Sequence, residues 1–174
     1  MRPARDGADA LAVALRAHNG PVAELVKGDR RDGGGQPGPA QVAAAGPRAA
    51  CAPGEYELLL EMILEGVRLH YGPPRVVQTD DRDLALLLGD QLYAMGLERL
   101  AALGDLPAVA ELADAIALVA QAHAVGDREL ADAVWAASAT AVGWGGSERL
   151  EEAKQLARAG DRRALPALKA LRNG

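Results

Sequence analysis

Three carboxylates crowd the stretch Thr79-Asp80-Asp81-Arg82-Asp83, immediately ahead of a long apolar run that starts at Leu84. Oxygen ligands gathered at the mouth of a helical bundle can hold Mg²⁺ and, through it, a diphosphate, which makes Asp80, Asp81 and Asp83 the candidate diphosphate-binding residues. The same spacing has a second reading. Acids collect in the first turn of a helix, where they accept hydrogen bonds from free N–H groups and complement the dipole. A magnesium site of this kind also needs carboxylates from a facing helix, and none is clustered after Asp105.

The remaining reactive types do not assemble. His18, His70 and His123 are scattered, and no His-x-x-x-His or Glu-x-x-His pair places two ligands on one helix face. Ser138 and Ser147 have no base near them in sequence. Cys51 is the only cysteine, so neither an internal disulfide nor a cysteine metal cluster is available. No catalytic residue, no resident metal and no cofactor is assigned from the sequence; magnesium would enter only through a catalytic partner or at the three aspartates.

Positioning falls to the run that follows. Leu84, Leu87, Leu88, Leu92 and Met95 recur at helical spacing, and Leu86, Tyr93, Leu97 and Leu100 cover most of the remaining circumference. That pattern predicts an interior helix over residues 84–103, surrounded by other helices. Gly89 and Asp90 interrupt it with a helix-weakening residue and a charge, each costing about 1 kcal/mol or more in a core. Gly89 and Gly96, seven residues apart, would admit another helix at close range, for internal packing or for a dimer seam. Gly89, Asp90, Tyr93 and Gly96 are therefore the candidate core-helix or partner-interface residues.

The other segments predict helices as well. Residues 55–70 place Tyr56, Leu59, Leu60, Ile63 and Val67 on one face, with Glu57, Glu61 and Glu65 marking the other. Gly104-Asp105, Gly126-Asp127 and Gly160-Asp161 each put a residue that tolerates the left-handed conformation before one that caps a helix, giving antiparallel hairpins. Helices follow over 106–125, 128–141, 148–159 and 162–172, with a break at Gly143-Trp144-Gly145-Gly146 and Ser147 as a cap. Trp135 and Trp144 read as bundle packing or a loop anchor, and Val76-Val77 is too short for a strand. Residues 1–54 read as a weakly helical N-terminal arm, Ala8 to Ala17 being its best helix, and a Gly/Pro-rich linker with a helical turn near Ala40; residues 55–174 read as the bundle domain.

Composition agrees with an all-α antiparallel bundle. Hydrophobic residues make up 49% of 174, aromatics only 3% with no Phe, so Leu, Ala, Val and Ile must fill the interior. A net charge of −5 and few aromatics provide neither a phosphate-binding field nor stacking platforms, so nucleic acid is not expected as a partner. No apolar run was expected to reach the ~20 residues of a membrane span. With no leader-like segment behind Met1, the chain reads as cytoplasmic; contact with a membrane surface stays open.

The run Leu86-Leu87-Leu88-Gly89-Asp90-Gln91-Leu92-Tyr93-Ala94-Met95-Gly96, with Leu103-Gly104-Asp105 behind it and a further Ala/Leu helix, resembles the core helix of the all-helical trans-polyprenyl diphosphate synthases. The preceding helix, Tyr56 to His70, is similar to the family helix that ends in a histidine followed by paired aspartates. Here Tyr71-Gly72-Pro73 stands in that place, and neither a second aspartate-rich motif nor the basic diphosphate motif is found. The likeness, spanning about Glu55 to Asp127, is greatest to the non-catalytic small subunit of heteromeric heptaprenyl or hexaprenyl diphosphate synthases. It implies a truncated isoprenoid synthase fold, pairing with a catalytic subunit that supplies Mg²⁺, and a role in setting prenyl chain length. The alternatives are a reduced magnesium-dependent prenyl diphosphate enzyme using Asp80, Asp81 and Asp83, and a helical protein-interaction domain or homo-oligomer.

Overall fold

The computed structural model describes residues 7–18, 20–27 and 37–171. Residue 19, residues 28–36 of the expected Gly/Pro-rich linker and residue 172 at the end of the last expected helix lie outside them. The described residues are all-helical: α1 (Gly7–Ala17), α2 (Pro21–Glu24), α3 (Pro39–Ala44), α4 (Pro53–Tyr71), α5 (Arg82–Ala102), α6 (Leu106–Ala124), α7 (Arg128–Trp144), α8 (Glu148–Arg158) and α9 (Ala164–Ala170). A 3-10 turn, Pro47–Ala49, links α3 to α4. Among the described residues the one β-type contact is an isolated antiparallel bridge between Val26 and Val77.

The Gly-Asp punctuation works as a local code at two of its three positions. Gly104 and Gly126 adopt φ of 77° and 75°, the left-handed region that costs glycine little. Asp105 and Asp127 then cap the next helix, their side chains accepting from the backbone N–H of Ala108 and Leu130. At the third, Gly160 is left-handed (φ 67°), but Asp161 takes the N–H and guanidinium of Arg163 and does not cap α9. Ser147 caps α8 as expected, accepting from Leu150 N–H.

Two apolar clusters form the interior. The larger joins α3, α4, α6, α7, α8 and α9 around Leu59, Leu60, Ile63, Leu112, Val134 and Trp135. The smaller sits under the N-terminal helices, where Leu11, Leu15, Val22 and Val26 meet Met62, Leu69, Val76, Val77, Leu88 and Leu92. The most extensive helix pairings are α4 with α5 and α6 with α7, and α3 packs against both α4 and α7.

Several expectations need correction. The predicted interior helix is an edge helix: α5 buries Ala85, Leu88, Gly89, Leu92, Gly96 and Leu100 along one side, while Asp90, Ala94, Glu98 and Ala101 are exposed and Leu87 is 66% exposed. The central helices are α4 and α7, each with ten buried residues. The glutamates of α4 do not mark a solvated face, since Glu61 and Glu65 are only 5% and 1% exposed. The supposed break at Gly143 is continuous helix through Trp144. A Cβ on Gly143 would stand 2.0 Å from Ala43 O, so the missing side chain is what lets α3 lie on α7. Ala40, Ala43 and Ala49, read as linker, are fully buried in the larger cluster. Finally, α6 is long and apolar enough by length and composition to cross a membrane, contrary to the sequence expectation; here it packs against α5, α7 and α8.

Candidate functional site

The three aspartates separate by role. Asp81 is the N-cap of α5, one side-chain oxygen accepting from the backbone N–H of Asp83 (3.0 Å) and Leu84 (3.1 Å). Asp80 and Asp83 are exposed. Among the described residues no group of three or more His, Cys, Asp and Glu is placed to hold a metal ion. The helix-capping reading accounts for Asp81.

Gly89, Asp90, Tyr93 and Gly96 form the seam between α5 and α4. A Cβ on Gly96 would stand 2.6 Å from Ile63 Cγ1 and 2.9 Å from Leu59 O; on Gly89 it would stand 2.6 Å from His70 Cδ2. Both positions, with Gly66 opposite them on α4, serve close internal packing, one of the two uses weighed for this pair. The rings of His70 and Tyr93 stack at 5.2 Å with 1° between their planes. Asp90 Oδ1 lies 3.1 Å from His70 Nε2, with the Asp90 side chain 69% exposed. It is thus a solvated acid tied to the end of α4, not a charge inside a core. Burial chiefly, with Tyr71 and Asp90 nearby, pushes the Tyr93 phenol above its ordinary range.

Two adjoining cavities lie along the other side of α4. One of about 400 Å³ is bordered by Tyr71, Arg75, His123 and Arg128. The other, about 620 Å³, is bordered by Val42, Trp135, Thr140, Trp144 and Leu171. Leu64, Arg68 and Asp132 line both, making one continuous groove between α4 and α7. Tyr71 and His123 stack across its narrower end at 4.3 Å and 8°. Burial lowers the His123 pKa, with Arg128 adding to the effect and Asp132 opposing it, so the ring favours its neutral form there. At the wider end Trp144 donates its indole N–H to Val42 O at 3.0 Å, while Trp135, 4% exposed, has no acceptor for its own among the described residues.

Two polar constellations were missed by sequence reasoning. Glu65 accepts from three successive backbone N–H groups, those of Arg75 (3.0 Å), Val76 (2.6 Å) and Val77 (3.0 Å), and so fixes the buried extended segment beside α4. Lys154 of α8 is 1% exposed, with its Nζ 2.6 Å from Glu111 and 3.1 Å from Asp114 on α6. Burial pulls the Lys154 pKa down, but hydrogen bonds and charge from Glu111 and Asp114 outweigh it and raise the value. The signals were present as an i,i+4 row of glutamates and as one lysine in a helix of mixed charge; surface charge explains either pattern equally well until the partner is known.

No family model, no curated protein and no solved structure matches the chain.

Proposed function

We propose that the chain is a non-catalytic subunit that joins a catalytic polyprenyl diphosphate synthase through the outer side of α5 and the turn into α6, and helps set prenyl chain length. The observation that carries this reading is the mismatch between composition and covering on α5. Apolar residues occur around most of its circumference, a pattern typical of an enclosed helix, yet Leu84, Leu86, Met95 and Leu97 are half-buried and Leu87 is 66% exposed. Leu103 and Leu106, 40% and 67% exposed, extend this surface into the next turn. An exposed run of leucines of this kind supports a protein contact. The nature of the partner is supported by the resemblance over Glu55 to Asp127 alone, because an edge position removes the support that an interior Gly89-Asp90 pair would have lent. In this reading the magnesium and the condensation chemistry belong to the partner, in the cytoplasm.

The test is to mix the purified chain with the catalytic long-chain synthase subunit from the same cell, then follow co-elution and incorporation of isopentenyl diphosphate. Co-elution, with product length or rate altered, is expected. Leu87→Glu combined with Leu106→Glu should abolish both effects while leaving the melting temperature unchanged. Separate elution and unaltered product from the wild-type chain would sink the reading.

A further inference from the structure

We propose that the groove between α4 and α7 is a binding site for an amphiphile with a single anionic head, a carboxylate or a phosphate monoester, held without a metal. This inference stands apart from the subunit reading, for it concerns a different side of α4.

The groove is divided by chemistry. At its narrower end Arg68, Arg75 and Arg128 line one space with Asp132 as the only acid among the described lining residues, in a chain whose net charge is −5; Arg75 also lies 4.0 Å from Glu61. Such a reversal of sign within a concave wall focuses an anion. Arg68 is the basic residue that both cavities share, with the acid Asp132 shared beside it. Its one ion pair among the described residues is with Glu65 at 3.7 Å, and the Glu65 oxygens are already engaged by three backbone N–H groups. Among the described residues most of the guanidinium's five donors are therefore unengaged, in the planar fork that matches a carboxylate or phosphate.

The wider end carries the larger apolar surface, with Arg68, Asp132 and Thr140 as the polar side chains on its wall. Both tryptophans of the chain border it, although aromatics make up only 3% of the residues, and Val42, Leu64 and Leu171 complete the wall. The combined size falls in the range of pockets that hold small ligands, and a largely apolar wall with a few convergent polar groups is their usual make-up. The indole N–H of Trp135 is buried behind that wall and has no acceptor among the described residues. An apolar tail over the tryptophans with its head at Arg68 satisfies both halves of the groove, which neither a free inorganic anion nor a neutral hydrocarbon does.

Titration of the full-length chain with dodecanoate and with dodecyl phosphate, below their micellar concentrations, tests this by calorimetry and by tryptophan fluorescence. Saturable binding of one equivalent is expected for at least one of them, and the preference between the two identifies the head group. Arg68→Gln should weaken binding at least tenfold. Trp144→Ala should weaken it severalfold, and Asp132→Asn, which removes the opposing charge at an exposed position, should tighten it. Dodecylamine and a neutral dodecyl glycoside serve as controls. Equal affinity for these controls, indifference to Arg68→Gln in a variant that melts like wild type, or no saturable binding of either anion would each overturn the proposal.

Discussion

Asp105 shows how one side chain can hold three elements. Its oxygens accept from the Ala108 N–H at the start of α6, from Tyr56 OH of α4 at 2.9 Å, and from Arg48 of the 3-10 turn at 2.6 Å. Burial acts to raise its pKa, but the hydrogen bonds from Tyr56, Ala108 and Arg48 prevail and lower it. The same contact, after burial itself, pushes the Tyr56 phenol up to about 12. A carboxyl whose folded pKa is depressed adds stability that is present above its unfolded pKa and is lost as pH falls through the folded value. Asp114 is lowered too, its bonds to Arg158 and Lys154 outweighing burial, and it acts in the same sense. Stability should therefore fall on acidification through the ordinary carboxylate range, about pH 4 and below. Asp105→Asn, which can still cap α6 but cannot pair with the Arg48 charge, should cost about 1–2 kcal/mol at neutral pH. It should also flatten the acid limb, as read by urea unfolding at a series of pH values; an unchanged acid limb would show that Asp105 is not the group responsible.

At the scale of elements, α4 is the helix on which the others are arranged, because its faces carry different chemistry. Leu59, Ile63, Gly66 and His70 receive α5. Glu61 and Glu65 turn to the N-terminal layer: a Cβ on Gly7 of α1 would stand 2.8 Å from Glu61 Cγ, and Glu65 holds the backbone of Arg75 to Val77. Leu64, Arg68 and Tyr71 line the groove. The first of these faces depends on absent side chains, since α5 can approach only where Gly66, Gly89 and Gly96 leave room. Gly96→Ala is expected to destabilise by about 2 kcal/mol or more, because its new methyl meets the Leu59 backbone oxygen as well as the Ile63 side chain. Ala94→Leu on the exposed side of the same helix should change stability by less than about 0.5 kcal/mol. Equal effects of the two in thermal unfolding would mean that α5 is not seated as described.

At the scale of the whole molecule, the N-terminal helices are part of the packing. Leu11, Leu15, Val22 and Val26 complete the smaller cluster, and the backbone of Lys27 and Leu25 pairs with Val76 O and Gln78 N at 3.1 and 3.0 Å. The described N-terminal residues thus close a layer over α4 and α5. Removal of residues 1–37 uncovers Met62, Leu69, Val76 and Val77; against the apolar area lost stands the entropy no longer spent on ordering the layer. A net loss of about 2–4 kcal/mol in unfolding free energy is expected, together with increased binding of a hydrophobic dye. An unchanged unfolding curve would show that residues 1–37 add nothing to the stability of the fold.

The sequence by itself determined the class of fold and much of its punctuation. Leu and Ala at helical spacing, with Gly104-Asp105 and Gly126-Asp127 between them, act within one or two turns of the chain, so the helices of residues 53–158 and their caps could be read within a few residues of where they lie. What it could not determine was which helix is enclosed. An apolar circumference is equally compatible with a central helix and with an edge helix awaiting a partner, so α5 was assigned the place that α4 and α7 hold. Charged residues were misread for the same reason. Glu65 and Lys154 become buried only because backbone N–H groups 10 to 12 residues away and carboxylates 40 and 43 residues away come to meet them. The groove belongs to tertiary structure alone: Arg68, Arg128 and Trp144 lie far apart along the chain, and it takes α4 and α7, both resting on α3, to bring them around one space.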